Sequence, residues 1–343
     1  MTAISPFRAL RYDETVAGPL ADLVAPPYDV IDDEELETLA LTSEHNIVHL
    51  TRPVSAGAAA ARLGEWRAGG VLRDEDPALW WLVQDYAAGD GVTRLRAGIA
   101  GSIEATPYAE GRVLPHEATR SQVKAERLEI LRATRTELEP IFLLYDADVP
   151  VGAPGGEPEI EVAEGGVRTR LWRLPPEPVE LDVPFVIADG HHRYETAVAF
   201  RDEDPSARST FAVLVSTRDP GLQIFPTHRT AEDAGSPPFG FTTSTWDTGS
   251  LAMYSEGNFH RVETDDELDA REVQGYGLEG VRYTPSAQEA VGSVDAALAR
   301  FAFLLRPPTV AQVLAFAGRG ETMPAKSTYF FPKLTSGLLL HPV

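Results

Sequence analysis

Ile187-Ala188-Asp189-Gly190-His191-His192-Arg193 is the most informative stretch of this sequence. The apolar run Phe185–Ala188 predicts a buried strand, and a helix is predicted to follow it directly, from about His192 to Phe200. The first N–H groups of a helix have no partner within the helix, and the helix dipole favours negative charge there. The order of elements therefore predicts a site for a phosphate-bearing small molecule, most specifically a nucleotide.

The residue types within this stretch suit a phosphate. Gly190 lets a ligand approach the backbone closely, His191 and His192 add donors, and Arg193 can bind two phosphate oxygens at once. The alternative is an Asp189 N-cap followed by a solvated basic first turn. Three basic residues in a first turn oppose the helix dipole, so an anion explains them better. Adjacent histidines point about 100° apart on a helix, which disfavours a zinc site.

Outward from this stretch, strands and helices are mixed along the chain. The predicted helices are Asp32 or Asp33 to Ala40, Ala56–Gly69, Ser121–Ala133 and Ala287–Arg300. The predicted strands are Asn46–Leu50, Ala78–Val83, Arg96–Ile103, Ile141–Tyr145, Val167–Leu174 and Phe211–Ser216, with a turn at Gly89–Gly91. Neither internal repeats nor heptads occur. The fold class predicted is α+β (mixed α/β) with several sub-domains.

The predicted elements suggest three regions. Residues 1–110 form an N-terminal α+β region, residues 111–235 a nucleotide-binding core, and residues 236–343 a C-terminal α+β region. The segment Gly235–Phe241, rich in proline and glycine, is predicted to link the last two.

Composition excludes several classes of function. The 343 residues carry 30 basic and 52 acidic side chains, a formal charge of −22, which disfavours nucleic acid and anionic membranes as partners. The longest apolar runs are too short to span a bilayer, and Met1–Arg8 lacks the apolar region of a signal peptide. The absence of cysteine rules out thiol chemistry. We therefore expect a cytoplasmic protein whose partners are small molecules. A homodimer is compatible with this composition.

Two further segments contain candidate functional residues. Glu117, after a strand and before a helix, is a candidate general base, and the alternative is an exposed loop carboxylate. Gly320–Ser327 superficially resembles a phosphate-binding loop. However, Ala325 replaces the second glycine and Pro324 removes an N–H, so this is not a Walker A motif.

The chain has only three lysines, Lys124, Lys326 and Lys333, and two of them lie within the eight residues 326–333. An ammonium suits a single phosphate oxygen better than a planar guanidinium does. We expect the C-terminal segment to fold back so that Lys326 faces the cleft that contains Gly190. The alternative is chance.

Seven motifs in order, nearly from end to end, resemble those of the DUF1015 family. They are Pro6–Tyr12, Ala25–Val30, Asn46–Leu50, Leu114–Glu117, Ala188–Ala197, Pro226–Arg229 and Lys326–Lys333. The Asp-Gly-His-His-Arg segment is similar to the phosphate-binding box of the ParB/sulfiredoxin superfamily. That superfamily includes DNA-segregation CTPases, sulfiredoxins and free-serine kinases. The resemblance implies a ParB/sulfiredoxin-like core with N- and C-terminal elaborations.

Three features discriminate among these relatives. Sulfiredoxin chemistry needs a cysteine, which this chain lacks. The ParB proteins bind DNA, which the charge of −22 disfavours. The serine kinases carry a catalytic glutamate in a His-Glu segment upstream of the box, and His116-Glu117 stands in the corresponding order.

The resemblance thus implies a small-molecule kinase that phosphorylates a hydroxyl, most specifically that of free L-serine, with ATP or ADP as donor and Mg²⁺ as a cofactor. Glu117 would take the hydroxyl proton, Asp189 would position the acceptor or Mg²⁺, and His192 is a further catalytic candidate. The candidate phosphate ligands are Gly190, His191, His192, Arg193, His228, Arg229 and Lys326, and the other site candidates are His116, Tyr28 and Asp29. Alternatives are a nucleotide-binding regulatory module without turnover, and a phosphatase or nucleotidase.

Overall fold

The computed structural model describes residues 2–88, 91–235, 241–243 (backbone) and 245–343. Contacts divide the chain into two compact units. Unit 1 comprises Met1–Pro115, Thr119–Leu222 and Pro332–Val343, and unit 2 comprises His116–Ala118 and Gln223–Phe331. Both units are therefore assembled from separate stretches of sequence. The three-region division at residues 110 and 235 stays a prediction, and the predicted turn Gly89–Gly91 and linker Gly235–Phe241 lie partly outside the described residues.

The strands are short except in the middle of unit 1. In chain order they are β1 (Thr2–Ile4), β2 (Leu10–Tyr12), β3 (Leu72–Asp74), β4 (Leu79–Ala87), β5 (Thr93–Glu104), β6 (Val113–Leu114), β7 (Thr136–Glu137), β8 (Ile141–Tyr145), β9 (Ile160–Glu164), β10 (Val167–Leu174), β11 (Val179–Leu181), β12 (Phe185–Asp189), β13 (Ser209–Ser216), β14 (Gln223–Phe225), β15 (His228–Ala231), β16 (Asp233–Ala234), β17 (Phe241–Thr243), β18 (Ala252–Ser255), β19 (Asn258–Arg261), β20 (Leu278–Glu279), β21 (Arg282–Thr284), β22 (Phe301–Leu304), β23 (Tyr329–Phe331) and β24 (His341–Pro342).

The helices are α1 (Glu14–Ala17), α2 (Asp33–Thr42), α3 (Val48–Thr51), α4 (Ala56–Ala68), α5 (Ser121–Thr134), α6 (His191–Glu203), α7 (Asp269–Gln274), α8 (Ala287–Asp295) and α9 (Val310–Gly318). Single 3₁₀ turns lie at Leu20–Asp22 and Tyr108–Glu110. In the described part of the chain, none of the helices has the length and apolar character needed to cross a membrane.

Unit 1 is built on an eight-stranded mixed sheet in the order β6-β12-β8-β13-β5-β4-β10-β9. Strand β12 runs parallel to β6 and antiparallel to β8, while β8 runs parallel to β13. All five residues of β8 are buried, as continuous apolar strands inside a sheet should be. The core includes Ile141, Phe185 and Leu214. The predicted mixed α+β class is confirmed by this sheet.

Most of the predicted elements of unit 1 are found, and one is wrong. Asp32 caps α2 by accepting a hydrogen bond from the Glu35 N–H at 2.8 Å. The segment Asn46–Leu50 was expected to be a strand, but Val48–Thr51 is helical. The Asn46 side chain is the cause. Its carboxamide donates to the backbone carbonyls of Asp22 and Val24 and accepts a hydrogen bond from the Val48 N–H at 3.0 Å. These bonds turn the chain into a helix.

Unit 2 contains a six-stranded sheet in the order β17-β19-β18-β22-β15-β21, with antiparallel pairing throughout. Met253, Phe301 and Phe303 contribute to its core. The helix predicted over Ala287–Arg300 is shorter in the structure, because β22 begins at Phe301 and needs the preceding residues as a connection.

Candidate functional site

The predicted junction of strand and helix is present at Asp189-Gly190. Strand β12 ends at Asp189, after a register shift between Ile187 and Asp189, and α6 begins at His191. Such bulges re-aim the side chains that follow them. Gly190 has φ +92°, and a Cβ added there would lie 3.1 Å from the Arg193 guanidinium. A glycine is therefore required, both for the backbone conformation and for the close approach of Arg193.

Asp189 is bound by two cations. Its Oδ1 pairs with the Lys333 ammonium and its Oδ2 with the Arg193 guanidinium at 2.5 Å. Each of the three side chains is at most 15% exposed. Burial opposes ionisation of Asp189, but Lys333 and Arg193 outweigh it and hold its pKa well below the usual range. Asp189 is therefore a carboxylate throughout the physiological range.

Arg193 is anchored on both sides. Besides its pair with Asp189, its other terminal nitrogen donates to the Pro140 carbonyl. Burial lowers the pKa of Arg193, but the negative charges of Asp189 and Glu139 raise it by more than burial lowers it. The guanidinium therefore stays charged. These contacts give Arg193 a structural role at the junction, and its role toward phosphate stays a prediction.

A buried carboxylate lies in the same network. Glu139 Oε1 accepts hydrogen bonds from the Tyr28 N–H at 2.9 Å and the Ser336 hydroxyl at 2.8 Å. Burial raises the pKa of Glu139. The Tyr28 ring is buried beneath the Arg127 guanidinium, 4.2 Å from its centroid, and burial also raises the pKa of Tyr28. Asp29, the neighbouring candidate, is exposed.

The first turn of α6 is tied to the start of α5. His192 Nε2 accepts a hydrogen bond from the Arg120 N–H at 2.9 Å, so its proton is on Nδ1 when the ring is neutral. One turn further, Glu195 accepts from the Thr119 hydroxyl at 2.8 Å and pairs with Lys124 at 2.9 Å. His191 is buried.

Two residues that hold this site together were not predicted in that role. Lys333, named above only as one of the three lysines, pairs with Asp189. Arg96, buried within β5, donates to the Gln84 carboxamide and to the Pro332 carbonyl at 2.6 Å, next to Lys333. Burial lowers the pKa of Arg96 to about 10. The only sequence signal was an arginine within a predicted strand.

The structure brings the His116-Glu117 motif together with the segment that contains Lys326, both in unit 2. His116 is buried, and its Nε2 lies 3.0 Å from the Thr328 hydroxyl. Glu117 Oε1 accepts from the Lys326 N–H at 3.3 Å, and Lys326 has φ +57°, an uncommon conformation for a residue with a side chain. The predicted position of Lys326 relative to Gly190, which belongs to unit 1, stays a prediction.

His228 and Arg229 are interior residues of unit 2. His228 Nδ1 accepts from the Leu305 N–H at 3.1 Å, and burial lowers its pKa to about 4, so the ring is neutral at physiological pH. Arg229 donates to the Ala270 carbonyl at 2.8 Å. Their roles as phosphate ligands stay predictions.

The surroundings of Asp189 in the structure do not suit the expected Mg²⁺ ion. Both carboxylate oxygens are bound by cations, and a divalent ion would meet the ammonium and the guanidinium at short range. Within residues 2–88, 91–235 and 245–343, no group of three His, Asp or Glu side chains is arranged to hold a metal ion. We therefore derive no step through a metal bound to Asp189.

Solved structures similar to the chain are distant in sequence. A free serine kinase in complex with AMP matches with a TM-score of 0.42 and 14% identity, covering 67% of this chain and 86% of that one. SbnI with a C-terminal truncation, from Staphylococcus aureus, matches with a TM-score of 0.41 and 12% identity, covering 68% and 84%. A conserved hypothetical protein from Pyrococcus furiosus matches with a TM-score of 0.41 and 13% identity, covering 68% and 92%.

No curated protein matches the chain. The family described as "Protein of unknown function (DUF1015)" matches residues 4–283, which is most of the chain and includes the junction at Asp189. The chain therefore belongs to the DUF1015 family.

Proposed function

We propose that this protein is a small-molecule kinase that binds the phosphates of ATP at the N-terminus of α6 and transfers the terminal phosphoryl group to a hydroxyl, most specifically that of free L-serine. The observation that carries the proposal is the junction at Asp189-Gly190, where a buried strand leads directly into a helix with a basic first turn.

The charge at this junction favours an anion. Arg193 and Lys333 bring two positive charges to Asp189, so these three side chains together carry one positive charge in excess, with the Glu139 carboxylate also acting on Arg193. The first turn of α6 contains no acidic residue. The helix dipole adds a partial positive charge at the same end. In a chain with a formal charge of −22, such a local excess is a specific feature.

The backbone supports the same conclusion. Gly190 occupies the N-cap position and has no side chain that could accept a hydrogen bond from the first-turn N–H groups. Strand-to-helix junctions with such a glycine are sites where phosphate oxygens approach the backbone closely. Arg193 and Lys333 would then act mainly by fixing Asp189 and by lending the site positive charge.

Phosphoryl transfer requires in-line positioning and charge stabilisation more than covalent help from the protein. In the proposal, the acceptor hydroxyl oxygen forms a bond to the terminal phosphorus while the bond to the ADP oxygen breaks. Glu117 takes the hydroxyl proton. His192 lies in the first turn and is proposed to donate a hydrogen bond to a phosphate oxygen. We leave His228 and Arg229 out of the proposed site because both side chains are buried within unit 2.

The test is a reaction of the purified chain with ATP labelled on its terminal phosphate and a pool of hydroxyl compounds that includes L-serine. The proposal predicts labelled O-phosphoserine and an equal amount of ADP. Glu117→Gln should abolish turnover and leave ADP affinity unchanged, because it removes a base and keeps the shape. Glu321→Gln, an exposed carboxylate of the same unit, is the matched control and should behave like the wild type.

Other outcomes would support one of the two alternative functions. Release of labelled inorganic phosphate with no phosphorylated acceptor would indicate a nucleotidase. Tight ADP binding without any turnover would indicate a regulatory module. Full activity of Glu117→Gln would remove Glu117 from the mechanism.

A further inference from the structure

We propose that unit 2 carries a binding site of its own for a small zwitterion, an α-amino acid, centred on Arg306. This goes beyond the proposed kinase activity and rests on none of the residues proposed for it.

Two adjoining cavities define the site. One has a volume of about 380 Å³ and the other of about 420 Å³, and Thr264 and Arg306 line both. These volumes fall in the range of small-molecule sites. Thr227 and Ser327 also line the first cavity, and they belong to two of the sequence motifs, Pro226–Arg229 and Lys326–Lys333, that the proposed kinase chemistry leaves largely unexplained.

Arg306 is held in one orientation by a buried carboxylate. The Asp269 side chain is 2% exposed, and it accepts from the Arg306 backbone N–H at 2.7 Å, from Nη2 at 2.5 Å and from Nε at 3.1 Å. The remaining terminal nitrogen, Nη1, makes no hydrogen bond to any described residue. The Arg306 side chain is 43% exposed and lines both cavities. A guanidinium fixed along one edge is pre-organised to bind a carboxylate along the other.

The walls around Arg306 are mainly acidic, with Arg261 as the other cation of the second cavity. Asp266 and Glu267 line the first cavity, and Glu263 and Asp265 line the second. A ligand with only a carboxylate would bind Arg306 and be repelled by these residues, and a simple amine would lack a partner for the guanidinium. A molecule that carries both groups satisfies both, since its ammonium faces the acidic wall while its carboxylate faces Arg306.

The test is calorimetric titration of the full-length protein with the standard L-amino acids, one at a time, with propionate and ethylamine as single-charge probes. We expect at least one amino acid to bind, and both single-charge probes to bind at least about tenfold more weakly. Absence of binding by every amino acid, or equal binding of propionate or ethylamine, would overturn the proposal.

Substitutions locate the site. Arg306→Lys keeps a positive charge opposite Asp269, so the fold should survive, but it removes the second donor edge and should weaken amino-acid binding by about tenfold or more. Asp266→Asn keeps the acceptor for the Leu268 N–H and should weaken binding through the ammonium. Arg300→Lys, at an exposed ion pair outside the cavities, is the control. Wild-type affinity of Arg306→Lys, with folding verified by circular dichroism, would place any binding elsewhere.

Discussion

Helices α2 and α6 belong to the same unit and begin in opposite ways. Helix α2 is capped by the Asp32 carboxylate, and its first turn is Asp33, Glu34 and Glu35. Helix α6 follows Gly190, and its first turn is His191, His192 and Arg193. The first arrangement complements the helix dipole with acidic side chains of the helix itself, and the second opposes it.

The difference separates a helix start that the chain's own carboxylates stabilise from one that we propose binds an anion. A protein with 52 acidic residues has carboxylates in abundance for its helix starts, and α2 uses four of them in succession. At α6 the nearby carboxylate, Asp189, is instead engaged by Lys333 and Arg193. The N-terminus of α6 is therefore suited to an anion from outside the chain, which is the basis of the proposed nucleotide site.

The largest expected effect follows from removing the carboxylate of the α6 start. Asp189→Asn leaves Arg193 and Lys333 buried without their counter-charge, which should lower the free energy of unfolding by about 3–5 kcal/mol. Urea unfolding measures this. Asp32→Asn, which retains a capping side chain at α2, should change stability by far less. Equal losses at both positions would contradict the contrast between the two helix starts.

The same ion pairs predict a pH dependence. Because the pKa of Asp189 is lowered in the folded state, its stabilisation is complete above the ordinary aspartate pKa of about 4 and is lost as the pH falls below that value. The stability of the wild type should therefore decline more steeply below about pH 4 than that of Asp189→Asn. Parallel acid-unfolding curves for the two proteins would show that the pairs contribute little.

An acidic residue in the first turn of α6 should make the start of this helix resemble that of α2, where acidic side chains complement the helix dipole. In His192→Asp, the new carboxylate complements the dipole and can still accept from the Arg120 N–H, so stability should change by no more than about 1 kcal/mol. ADP affinity should fall by at least about tenfold, because the carboxylate repels the phosphates. Calorimetry and thermal unfolding of the same preparation separate the two effects. Unchanged ADP affinity would contradict the proposed location of the phosphates.

The smallest effect is expected at the other helix. Asp32→Ala removes the cap of α2 and should cost about 1 kcal/mol of stability. It should leave ADP affinity unchanged, since α2 is not part of the proposed site. A parallel loss of ADP affinity would indicate that the proposed site depends on unit 1 as a whole.

Local patterns predicted the centre of unit 1 because its elements are regular. The apolar run before Asp189 and the helical periodicity after it locate the junction, and glycine in the left-handed region is what such a junction needs. The strand predicted over Asn46–Leu50 is wrong. The apolar residues of this segment favour a strand, but the buried Asn46 carboxamide binds the backbone of Asp22, Val24 and Val48 and turns the chain.

The ion pairs of the site depend on contacts that no local pattern contains. Lys333 reaches Asp189 across 144 residues of sequence, and Arg96 reaches Pro332 across 236. The sheet of unit 2 was missed because its strands are only three or four residues long and are interrupted by helices, so none shows a clear alternation. The family motifs include Asp189 and Lys333, but a motif does not indicate which side chains are in contact in the folded protein.

Titration of the wild-type protein with ADP and with adenosine tests the central claim most directly, because the two ligands differ only in the phosphates. The account predicts that ADP binds at least about tenfold more tightly than adenosine and that added salt weakens ADP binding. Equal affinities, or binding of neither compound, would contradict the proposal that the start of α6 is a nucleotide phosphate site.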